Sequence, residues 1–258
     1  MAYSPDLRTY SRPAAGVAGA AAIDAGLRAY MLRVYNWMAS GLLLTGIVAY
    51  SVANTSLIQL FYHRVVTEYG VRIAPTGLGT LSMFAPLAFV LVLSFGVNRL
   101  SRQSVQALYW AFCLAMGASL TNIFLIYAHD SIARVFFISA AMFAGMSIYG
   151  YTTKANLSRF GSFLIMGLFG IILASLVNMF MHSAPLQFAI SIIGVVVLTG
   201  LTAYDTQRIK VSYTQFAYAE GTEGAAKRSV YDALSLYLNF INLFMLMLQL
   251  TGNRNSNN

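Results

Sequence analysis

Four polar residues, Asp232, Ser235, Asn239 and Asn242, fall at i, i+3, i+7 and i+10 in a stretch that is otherwise Leu, Ile, Phe and Met. That spacing puts a carboxylate, a hydroxyl and two carboxamides on one face of a helix. A second carboxylate, Asp205, stands in Leu201-Thr202-Ala203-Tyr204-Asp205-Thr206-Gln207, at the end of another apolar run. Carboxylates and amides of this kind can hold or pass a cation, or share a proton. Ionisable groups are costly within hydrocarbon and tend to mark function there. A polar face at that depth has to meet protein or water rather than lipid. It therefore reads equally as the lining of a path or as an interhelical hydrogen-bond seam.

The elements that position these residues follow from composition. Of 258 residues, 58% are hydrophobic and 9% charged. Soluble domains average about 25% charged residues, so this chain cannot cover a water-facing surface. Stretches without Asp, Glu, Lys or Arg run over 34–63, 73–98, 103–129, 135–153, 160–204 and 233–253. A membrane helix needs about 20 such residues. The fifth stretch holds two helices, broken at Met181-His182-Ser183-Ala184-Pro185. Seven spans are thus expected, over 34–54, 78–98, 106–127, 134–153, 161–181, 186–207 and 230–251. The fold class is an all-α membrane protein, since a spanning chain must satisfy its own backbone groups. Residues 1–27 read as a flexible cytoplasmic tail, 28–251 as the membrane domain and 252–258 as a short tail. Long loops are expected at 55–77 and 208–229.

The net charge of +8 reports topology rather than nucleic acid, because the basic residues are scattered among loops. With the N-terminus inside, twelve Lys and Arg fall on inner segments and four on outer ones (Arg64, Arg72, Arg134 and Arg254). An N-in, C-out protein of a bacterial inner membrane is expected, with the lipid bilayer as its first partner. Ala141-x-x-x-Gly145 and Gly117-x-x-x-Thr121 permit close helix contact. Asn122 and Asn178 read as packing groups.

Several enzyme chemistries are disfavoured. No Lys lies within a span for a retinal Schiff base, and His63, His129 and His182 all fall at the outer edge, out of reach of Ser147. Tyr204-Asp205 and Tyr231-Asp232 supply two Tyr-Asp pairs, but the Gly-x-Gly-Asp of intramembrane aspartyl proteases is absent. No enzyme activity and no cofactor are expected.

The segments Gly-Leu-Thr-Ala-Tyr-Asp-Thr-Gln-Arg-Ile (200–209) and Ala-Leu-Ser-Leu-Tyr-Leu-Asn-Phe-Ile-Asn-Leu-Phe (233–244) resemble the two signature segments of the Bax-inhibitor family, in its bacterial branch. The resemblance covers roughly 28–251. It implies a bundle whose seventh helix is central, and a pH-sensitive calcium leak in which two Asp residues on the last two helices are latched by an Arg of the second. Asp205 matches the first Asp, and Arg99 matches the Arg. Asn239 stands where the second Asp would be. The implied gate is an Arg99–Asp205–Asn239 latch, with Asp232 as an auxiliary mouth carboxylate and Ser235 and Asn242 lining the path. Asp205 is the one metal ligand, and calcium is the permeant ion rather than a cofactor. Without a second carboxylate the like-charge repulsion that couples two titrations is missing, so weaker pH gating is expected. The alternative is an interaction protein. In that reading the N-terminal tail is engaged by a membrane-anchored ATP-dependent protease, with no transport.

Overall fold

A computed structural model describes residues 14–67, 70–96, 99–216 and 221–255. Among them are eight helices and one β-hairpin. The elements are α1 (Ala14–Asn54), α2 (Ile58–Phe61), β1 (Tyr62–Thr67), β2 (Gly70–Pro75), α3 (Gly77–Gly96), α4 (Arg102–Ile126), α5 (His129–Thr152), α6 (Ser158–Met181), α7 (Ala184–Phe216) and α8 (Gly221–Thr251). Seven of the eight helices, all but α2, are long and apolar enough to cross a membrane. The expected seven spans are therefore present.

The largest departures lie at helix ends. Helix α1 begins at Ala14, inside the stretch read as tail, while residues 1–13 lie outside the described residues. Ala-rich sequence has high helix propensity, and Leu27, Tyr30, Met31, Val34 and Met38 form a buried stripe at helical spacing. The presumed 208–229 loop is mostly helix as well, because α7 runs on to Phe216 and α8 starts at Gly221. Charged side chains end the hydrocarbon-facing part of a helix without ending the helix. The 55–77 loop holds α2 and the hairpin, whose strands pair antiparallel from Tyr62↔Pro75 to Thr67↔Gly70. The β-branched Val65, Val66, Thr67, Val71 and Ile73 favour strand. The α6–α7 turn falls at the expected break. His182 takes a left-handed conformation (φ 50°) after the last turn of α6, and Ser183 N–H donates to Asn178 Oδ1 at 3.0 Å.

Helix α8 is the most buried span. It packs against α1, α4, α5 and α7, while α3 packs on α4 and α6 on α7. The seventh span is thus central, with four of the six others forming its main walls. Tyr237 is fully buried against Tyr109 and Phe112 of α4. Its hydroxyl donates to Thr45 Oγ1 of α1 at 2.7 Å, and Thr45 passes its own proton to the Cys113 carbonyl at 3.0 Å. Phe240 and Phe244 stack edge-on against Phe136 of α5. At the ends opposite Asp205, α6, α7 and α8 are joined by an amide chain: Asn178 Nδ2 donates to Gln187 Oε1 (3.0 Å), and Gln187 Nε2 to Gln249 Oε1 (2.7 Å). The C-terminal residues also fold back, with Ala128 N–H donating to the Asn253 carbonyl at 3.0 Å and Asn255 N–H to that of Ile126 at 2.9 Å.

Of the two small-residue motifs, one does the expected job. A Cβ on Gly117 would lie 2.6 Å from Val48 Cβ and 2.8 Å from the Thr45 carbonyl oxygen, so Gly117 lets α1 and α4 approach. Gly145 has open space around that position and mediates no close contact. The tight α5–α7 approach is made instead at Gly150, where a Cβ would meet the Ala203 carbonyl oxygen at 2.2 Å. No side-chain rotation relieves a clash with backbone. Gly150→Val should therefore push α5 and α7 apart and destabilise the bundle by about 1–3 kcal/mol or more. A thermal melt in detergent checks this, with Gly145→Ala expected to leave the midpoint unchanged.

Candidate functional site

Two helices build the site. Asp205 lies on α7 and is only 6% exposed. Ser235 and Asn239 lie on α8 at i, i+4, so both face the same point of α7. Asn239 Nδ2 donates to Asp205 Oδ2 at 2.7 Å, and Ser235 Oγ donates to the same oxygen at 3.1 Å. The other oxygen, Oδ1, is paired with Arg208 Nη2 at 3.0 Å. The same Nη2 donates to Ser235 Oγ at 3.1 Å. The directions are mutually consistent: the guanidinium gives a proton to the serine oxygen, and the serine hydroxyl gives its own to the carboxylate.

Arg208, rather than Arg99, is the cation of this cluster. Arg208 follows Asp205 by one helical turn, within reach whatever the other helices do. Arg99 is exposed in the turn after α3, a helix that packs on α4, and no ion pair joins it to Asp205. Arg99 does not make the expected contact with Asp205; the cation beside that carboxylate belongs to α7 itself, and α8 adds Ser235 and Asn239.

The other expected residues divide. Asp232 Oδ2 accepts a hydrogen bond from Tyr30 of α1 at 2.5 Å. Asp232 therefore ties α8 to α1, two turns before Asn239. Asn242 is exposed on α8 and does not join the Asp205 cluster. Asn178 packs as expected through its hydrogen bonds, whereas the buried Asn122 Oδ1 has no hydrogen-bond partner among the described residues. Among the described residues no three His, Cys, Asp or Glu side chains converge. A cation at Asp205 would meet one carboxylate, and it would have to displace Arg208, because all three of the groups bonded to that carboxylate point donors at it.

Sequence reasoning missed a second thread beside Asp205. Tyr35 of α1 hydrogen-bonds Ser147 of α5, which hydrogen-bonds Thr206 of α7 at 3.0 Å. Ser147 and Thr206 are buried. The signal for Arg208 was legible, since i, i+3 opposite charges are a standard helix pair. The Tyr35–Ser147–Thr206 thread had no such signal, because it depends on how three distant helices are rotated.

The comparisons agree with this architecture. A family model described as "Inhibitor of apoptosis-promoting Bax1" matches residues 27–256. The chain is 44% identical to the inner membrane protein YbhL of Escherichia coli strain K12 over 232 residues, which covers 89% of this chain and 94% of that one. It is 46% identical to uncharacterized protein RP147 of Rickettsia prowazekii over 232 residues, 90% of this chain and 92% of that one. A Caulobacter vibrioides protein is 40% identical over 247 residues, covering 95% and 96%.

Proposed function

This chain belongs to the Bax inhibitor family, and from that premise we propose that it is a cation leak pathway of the inner membrane, with calcium as the permeant ion. The path follows the α7–α8 seam and is closed at its cytoplasmic mouth by the clamp on Asp205. The observation that carries this reading is the buried carboxylate itself: Asp205 sits between two membrane helices with a guanidinium, a hydroxyl and an amide all donating to it. The amide chain Gln187–Gln249 places polar groups on the same two helices at the opposite end. The relative's description as an inner membrane protein supports the location, and the twelve-to-four distribution of basic residues supports a cytoplasmic Asp205 end.

The clamp gives the leak a pH sense. An ionised Asp205 accepts from all three donors. Adding a proton weakens the pairing with Arg208, and it puts an O–H on a carboxyl whose oxygens are already filled by donors. The α7–α8 contact then loosens, and flux rises as pH falls.

Purified protein in liposomes loaded with a calcium dye tests this reading. Flux above empty liposomes, increasing from alkaline to acid pH, is the expected result. Flux no greater than that of empty liposomes at any pH would overturn it. The competing reading, engagement by a membrane-anchored ATP-dependent protease through the N-terminal tail, depends largely on residues 1–13, which lie outside the described residues.

A further inference from the structure

Beside the Asp205 clamp, the α5–α6 turn and α7 enclose a separate cavity of about 560 Å³. Its lining includes three cations, Lys154, Arg208 and Lys210, together with Asn156, Ser158 and Ser212. No Asp or Glu lines it among the described residues.

The frame is well fixed. Gln207 holds the turn by accepting from Leu157 N–H at 2.8 Å and donating to the Ala155 carbonyl at 2.7 Å. Asn156 Oδ1 accepts from Ser158 N–H at 2.9 Å. Lys210 Nζ donates to the Tyr151 carbonyl at 2.7 Å and lies 5.2 Å from the centre of the Tyr151 ring. Lys154 is exposed, and the Arg208 side chain is 47% exposed although one edge is paired with Asp205.

Lys154 and Lys210 bring two charges that no carboxylate of the lining neutralises, and Arg208, although paired with Asp205, adds the other edge of its guanidinium. The cavity lies just past the last turn of α5 and at the first turn of α6, both spanning helices. At the ends of membrane-spanning helices hydrocarbon gives way to phosphate headgroups. Basic pockets of this kind at the ends of membrane helices suit anionic lipid heads. We propose that this cavity binds a phosphate group, supplied by the phosphodiester head of an anionic phospholipid. Lys154 and Lys210 would meet the charge, Arg208 would turn its free edge toward it, and the serine hydroxyls would donate to its oxygens. Binding of this kind is read without any flux, so it stands or falls separately from the leak.

The test is native mass spectrometry of the delipidated full chain, titrated with phosphatidylglycerol and, separately, phosphatidylcholine. Phosphatidylglycerol should be retained in preference. Lys154→Gln, on an exposed turn, should weaken that retention about fivefold without changing the melting midpoint. Asp205→Asn should strengthen it, by freeing Arg208 from its present partner. Inorganic phosphate as competitor separates the sources. Lipid that persists through millimolar phosphate marks a lipid site, and displacement by phosphate marks a soluble one of the same chemistry. Equal retention of both lipids with no effect of phosphate would overturn the assignment. So would a Lys154→Gln chain that holds phosphatidylglycerol as tightly as the unaltered one.

Discussion

Asp205→Asn is expected to raise calcium flux at neutral pH to the level the unaltered chain reaches only in acid, and to flatten the pH profile. The exchange keeps the shape of the side chain and an acceptor for Asn239, so it removes the charge and little else. What is lost is the attraction to Arg208 and the charge assistance to two hydrogen bonds from α8. Hydrogen bonds to charged groups contribute about 1.5–3 kcal/mol. Arg208 is half exposed, and solvent screens its share. A net loss of about 1–2 kcal/mol from the closed state is about 5–30-fold in the open population. Dye-loaded liposomes measured from acid to alkaline pH check both parts. A profile that keeps its slope would mean that the proton is read elsewhere.

Asn239→Asp should produce the second large effect, in the pH axis rather than the amplitude. Asn239 Nδ2 lies 2.7 Å from Asp205 Oδ2. A carboxylate oxygen in that place would face another at hydrogen-bond distance. Two such groups cannot both ionise readily, and they hold a proton between them as a unit. The rise in flux should therefore move toward neutral pH by about a unit or more. An unchanged profile would show that positions 205 and 239 do not act as a pair.

Much of this was readable from residue order. The seven spans followed from runs of uncharged sequence, and the His182 break from a short polar interruption. The polar face of α8 followed from spacing alone, and two of its four members do converge on Asp205. The failures share a physical cause. Arg208 is marked by its i, i+3 spacing from Asp205, whereas whether Arg99 reaches Asp205 depends on whether α3 packs against α7 or against α4. That is set by side-chain volumes over the whole bundle rather than by a local pattern. Gly145 and Gly150 are one helical turn and a fraction apart on α5. Only the rotation of that helix decides which of them meets a neighbouring backbone. Helix ends were misplaced at α1, α7 and α8 because hydropathy reports where lipid stops, while a helix continues as long as its propensity and a partner surface support it. The hairpin at 62–75 escaped notice although its β-branched residues were visible, since a hydropathy reading of spans treats everything between them as loop.

The double-mutant cycle of Asp205→Asn and Arg208→Gln, read as calcium flux at neutral pH with Arg99→Gln alongside, is the most direct measurement of the clamp. If the two side chains act as one closure, each single exchange raises the flux and the double exchange raises it no further, while Arg99→Gln leaves it unchanged. Additive effects of the two exchanges, or an Arg208→Gln chain as tightly closed as the unaltered protein, would contradict the assignment of the closure to this pair.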